Sequence, residues 1–71
     1  MIVSDFTGLE LRYFRENCNF VGNENQVFEL RSQGITLEEI AERLNMSVEG
    51  IKRVSRKVNR KINTVINYKE A

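Results

Sequence analysis

The sequence predicts an all-α fold of four helices, and three observations carry that prediction. Helix-start grammar recurs four times in 71 residues, at Thr7, Asn23, Thr36 and Ser47. Each start opens a run in which apolar residues return every three or four positions, the period of a helix packed along one face. β-Branched residues rarely alternate with polar ones, so the period-2 signature of a half-buried strand is weak.

The first helix is predicted over about 8–17. Thr7 is followed three residues later by Glu10, the capping-box spacing in which each side chain satisfies the other's free backbone N–H. Phe6 and Leu11 stand at the positions of a hydrophobic staple, and Leu11, Phe14 and Cys18 share one face. The second helix, about 24–33, opens on Asn23 with Gln26 as the reciprocal partner, carries Val27, Phe28 and Leu30, and stops at Gly34. The third, about 37–44, is capped by Thr36 with Glu39 and stapled by Ile35 and Ile40. The fourth starts near 48 after Ser47, with Met46 and Ile51 as its staple. Ile51, Val54, Val58, Ile62 and Val65 recur at helical spacing to about 66, ahead of a polar tail at Asn67–Ala71. Short connections and the absence of a linker, repeat or low-complexity stretch predict one domain over residues 1–71.

Only Asn45-Met46-Ser47 separates the last two helices, which is the geometry of a helix-turn-helix. Counting from Leu37, the positions that must be apolar to face the domain hold Ile40, Leu44, Met46, Ile51 and Val54. The fifth position must be small where the second helix crosses the first, and it is Ala41. The ninth favours a residue that tolerates a left-handed backbone, and it is Asn45. A recognition helix over about 48–66 follows.

Val27-Phe28-Glu29-Leu30, Gly34, Thr36, Glu39-Ile40-Ala41, Leu44, Met46-Ser47, Ile51 and Lys61-Ile62 resemble the DNA-binding domain of LuxR-type regulators. The same frame is similar to region 4 of bacterial sigma factors, which reads the −35 promoter element. The resemblance covers about residues 20–62. LuxR-type domains carry a further helix after the recognition helix, whereas here an extra helix stands in front, as in the sigma arrangement. The resemblance implies binding to double-stranded DNA, with the base-reading positions on Lys52, Arg53 and Arg56.

Charge distribution supports that implication, although the total does not. Eleven Lys and Arg against ten Asp and Glu leave a net charge of +1. Residues 1–44 hold four basic and eight acidic residues, net −4, and residues 45–71 hold seven basic and two acidic, net +5. Between Lys52 and Lys61 there are six basic residues and no acid. On a helix, Val54, Val58 and Ile62 take the buried stripe while Lys52, Arg53, Arg56, Lys57 and Arg60 fan over the rest. A basic face of this kind suits insertion between two phosphate-lined walls, and it also suits a merely solvated surface. Arg53 and Arg56 have the guanidinium geometry for bidentate contact to guanine O6 and N7. Lys57, Arg60 and Lys61 are assigned to the DNA backbone. Thr36 and Ser47 either donate to phosphate or serve as caps alone. Glu49 fits a cytosine amine acceptor or a simple partner of the helix dipole. Gly50 fits close approach either to the third helix or to DNA.

The residues that are missing exclude several function classes. There is no His and a single Cys, Cys18, so a structural zinc site and His-based catalysis are excluded. No metal, cofactor or enzymatic activity is expected. The opening Met-Ile-Val-Ser-Asp lacks the pattern of a signal peptide, and no apolar run approaches a membrane span of about 20 residues. These features lead us to expect a cytoplasmic transcriptional regulator with no membrane partner. Because one helix reads few base pairs, a homodimer is expected, with Val65-Ile66-Asn67-Tyr68 and the first helix as candidate contacts. The competing expectation is a protein-interaction module that reuses the helix-turn-helix, docking on RNA polymerase or acting as a phage-encoded inhibitor through its acidic first half.

Overall fold

A computed structural model describes residues 6–70, and for residues 68–70 the backbone only. The expectations that fall on residues 1–5, on Ala71 and on the Tyr68 side chain lie outside the described residues. Within them the chain forms four helices and no strand: α1 (Gly8–Asn17), α2 (Asn23–Ser32), α3 (Leu37–Arg43) and α4 (Val48–Glu70).

Each helix end has a local chemical cause. At α1 the capping box is complete: the Thr7 N–H donates to Glu10 Oε1 at 2.8 Å and the Glu10 N–H to Thr7 Oγ1 at 3.2 Å. At α3, Thr36 accepts from the Glu39 N–H at 3.2 Å, but the Glu39 carboxylate pairs with Arg43 one turn on, at 3.1 Å. The predicted cap of α2 requires correction. Asn23 lies inside the first turn, Gly22 is the cap residue with φ 54°, and no side chain caps the end. The Asn23 amide turns instead to Met46 Sδ at 3.4 Å.

α2 and α3 stop in the same way. Gly34 (φ 82°) and Asn45 (φ 55°) adopt the left-handed backbone just past the cap. The next N–H then reaches back over the end, from Ile35 to the Leu30 carbonyl and from Met46 to the Ala41 carbonyl. This pairing satisfies carbonyls that the helix leaves open. Asn45 thus has the conformation its position requires. α4 runs on to Glu70, four residues beyond the predicted end, because nothing between Ile66 and Glu70 breaks a helix. At 1.5 Å per residue its 23 residues span about 34 Å.

Two groups of buried side chains hold the helices together. Phe14, Cys18, Phe28, Val58 and Ile62 join α1, α2 and the middle of α4, with Phe6, Leu11, Phe20, Val65 and Ile66 packed around them. Val27, Ile40, Ala41 and Ile51 join α2, α3 and the start of α4. Val54 touches both groups, and neighbours Val27 and Phe28 divide α2 between them. Aromatic edges fill the first group: Phe6 meets Phe14 at 4.8 Å between centroids, and Phe20 meets Phe28 at 4.7 Å. Outside it, the Arg15 guanidinium binds the Glu29 carboxylate through two nitrogens and lies 5.9 Å from the Phe28 ring centre. That pair clips α1 to α2. Tyr13 stays at the surface with 36% exposure.

Candidate nucleic-acid interface

The interface is built around the three-residue turn. Ile40 and Ala41 of α3 are buried against Ile51 of α4, which sets the crossing of the two helices. Ala41 leaves room for that crossing because its side chain is a single methyl group. Ser47 caps α4 by accepting the Gly50 N–H at 3.0 Å. A β-carbon at Gly50 would stand 3.2 Å from Ser47 Oγ and 3.5 Å from Met46 Cε. Gly50 therefore gives room to the turn's own Met46, whose sulfur also receives Asn23 of α2.

α4 presents its basic residues outward. Ile51, Val58 and Ile62 are fully buried, so the helix orientation is fixed by its apolar stripe. Arg53, Arg56 and Arg60, at spacings of three and four, form one exposed stripe opposite it, flanked by Lys52 and Lys57. Among the described residues Arg53, Arg56, Lys57 and Arg60 form no ion pair. Lys52 lies 3.6 Å from Glu49, both side chains being largely solvated, and such a pair contributes little.

Lys61 is placed differently from the other basic residues. It turns away from the stripe, donates to the Asn19 carbonyl at 3.1 Å and ion-pairs with Glu24 at the start of α2. Glu24 also accepts the Val21 N–H at 3.3 Å. Lys61 thus ties α4 to the loop between α1 and α2. Nothing local in the sequence signals this contact, because its partners lie 42 and 37 positions away. Thr36 and Ser47 both spend their hydroxyl lone pairs on backbone N–H groups, and each keeps a proton to donate.

The Lys61 hydrogen bond holds the Glu24 carboxyl below its ordinary range, with Val21 and the positive field of Lys57 acting in the same direction and burial opposing them. A carboxyl with a lowered folded pKa contributes stability at neutral pH that disappears as pH falls through the folded value. Glu24→Gln is expected to cost about 1–2 kcal/mol at neutral pH. It should also flatten the acid side of the stability profile, read by denaturant unfolding from neutral pH down to strong acid. An unchanged acid slope would show that Glu24 is not a source of it. Burial pushes the Cys18 thiol up, against the Lys61 charge.

A capped helix, a left-handed Asn turn and a second helix with an outward basic stripe define a recognisable frame. The family model of the helix-turn-helix domain of resolvase matches residues 21–58, more than half of the chain. The chain belongs to that family. As a helix-turn-helix domain of the resolvase kind it is a DNA-binding fold rather than a catalytic one. The matched span begins just before α2 and ends in the third turn of α4. It includes Thr36, Ser47, Lys52, Arg53, Arg56 and Lys57 and leaves out α1, Arg60 and Lys61. No curated protein and no solved structure matched the chain. Among the described residues no helix is long and apolar enough to cross a membrane.

Proposed function

We propose that the chain, as one domain, binds double-stranded DNA sequence-specifically and acts as a small cytoplasmic transcriptional regulator or as the reading module of one. One observation carries this reading: the helix after the turn bears four outward cations without a carboxylate partner among the described residues. In a protein without a polyanionic partner, acids within the same helix would be expected to offset that charge. The first turns of α4 enter the major groove. Lys52, Arg53 and Arg56 face base edges, Lys57 and Arg60 face phosphates, and Thr36 and Ser47 donate to phosphate from their helix ends. Lys61 reaches a phosphate only by leaving Glu24, so its first role is to anchor α4. The residues shared with LuxR-type regulators and sigma region 4 support a role in transcription. The rival reading, a module docking on RNA polymerase or a phage-encoded inhibitor, would use Glu38 and Glu42 on the outer face of α3 and would leave DNA unbound.

Salt titration separates the two. Binding to a random duplex, followed by fluorescence anisotropy, should weaken with salt at a slope of log K on log salt of about −4 to −5, as for about five neutralised phosphates. Absence of binding at low salt would reject the DNA reading.

A further inference from the structure

We propose that a second copy of this chain docks on α1, with Leu9 of each copy seated in the cleft that closes the other end of α1 in its partner. Leu9 is 80% exposed, the most exposed large apolar side chain among the described residues. It stands in the first turn of a helix whose opposite face is fully engaged by Phe14 and Cys18. At the far end of the same helix lies a cleft of about 250 Å³ with Cys18 and Val65 as its apolar lining, Asn17 and Thr64 beside them, and Arg60 and Lys61 on α4. Knob and hole thus stand at the two ends of α1, about 13 Å apart at 1.5 Å per residue, with α4 completing the hole.

This arrangement is self-complementary, as a two-fold contact requires. Leu9, Tyr13 and Asn17 follow each other at spacings of four and share one face of α1. Antiparallel apposition of two α1 helices about an axis near residue 13 sets each Leu9 over the other copy's Asn17, at the rim of its cleft. The charges beside that face agree. Arg12 and Glu16 lie 3.5 Å apart with side chains 73% and 64% exposed, so each can exchange its own partner for the one on the second copy. Of the other candidate contact, Val65 and Ile66 are partly buried against Phe14, Cys18 and their neighbours, and Val65 keeps an edge in the cleft.

The purpose of this contact rests on the DNA reading, since one recognition helix reads few base pairs. Arg53 lies eleven residues, about 17 Å of helix, from Thr64 beside the cleft. Two copies paired through α1 would present two reading helices to one two-fold site. One helix face and one cleft are a small contact beside the roughly 800 Å² per partner of a stable complex, so the free pair is expected to be weak and to form at high concentration.

Sedimentation equilibrium of the DNA-free chain from micromolar to millimolar concentration tests the proposal. A monomer–dimer equilibrium is expected, weakened at least tenfold by Leu9→Ala, with circular dichroism unchanged because Leu9 supports no core. Arg12→Glu and Glu16→Arg should each weaken it, and the double exchange should restore it. A chain monomeric throughout the range, or a dimer indifferent to Leu9→Ala and to the charge exchange, overturns the proposal. A chain that dimerises in this way yet ignores duplex DNA leaves the docking standing and removes the DNA reading. One that binds duplex with the stated salt slope while staying monomeric does the reverse.

Discussion

Replacing both Arg53 and Arg56 with alanine is expected to abolish base discrimination while leaving the fold intact. Both guanidiniums stand on the solvent face of α4, opposite Ile51, Val58 and Ile62, and neither is tied to a described carboxylate. Each bidentate pairing with guanine is worth about 1–3 kcal/mol of discrimination, so a single substitution costs roughly 5- to 150-fold against the preferred site. The double variant should approach the affinity for random duplex. The comparison that decides the role is Lys57→Ala. Removing a phosphate-neutralising ammonium there should weaken binding evenly across sequences and reduce the salt slope by about one. Sequences selected from a random duplex pool give the preferred site, and competition between it and a scrambled duplex measures the ratio. If the arginine double variant keeps the wild-type ratio, α4 does not read bases through these residues. A palindromic selected site would also agree with paired copies.

Phe28→Ala is the substitution expected to damage the fold most. Phe28 is fully buried, stacks near Phe20, lies under Arg15 and touches the group that joins α1, α2 and α4. Truncating a buried phenylalanine costs about 3–5 kcal/mol. A single core in a domain of this size rarely supplies more than about 3–5 kcal/mol in total. The cooperative thermal transition seen by circular dichroism should therefore vanish or fall close to room temperature. Val21→Ala, at a position 56% exposed, should stay within about 0.5 kcal/mol of wild type. A Phe28→Ala chain that melts as cooperatively and as high as wild type would mean that the α1–α2–α4 core does not support the domain.

Much of the fold could be read directly from the residues, because its determinants are local. Thr7 and Glu10 cap a helix wherever they occur at that spacing, and the turn at Asn45 needs only a residue that tolerates positive φ. The buried stripe of α4 follows from Ile51, Val58 and Ile62 at helical spacing, and the outward place of Arg53, Arg56 and Arg60 follows from that stripe. The start of α2 could not be read in this way. Asn23 and Gln26 match the grammar of a cap, but Asn23 has a distant alternative in Met46, and Gly22 takes the cap position through backbone conformation.

The sequence by itself determined the four helices, the tight turn and the segregation of positive charge onto the last helix, since each depends on neighbours within about one helical turn. Tertiary structure alone decided what the equally basic Lys61 does. Its charge reads the same as that of Lys57 or Arg60 along the chain. Packing of α4 against α1 and α2 brings it to Asn19 and Glu24 and leaves Lys57 and Arg60 in solvent. Packing likewise drew Val65 and Ile66 partly into the domain and left Leu9 outside. Which side chains remain available to a partner depends on which surfaces the helices cover in one another, and the order of residues along the chain does not carry that information.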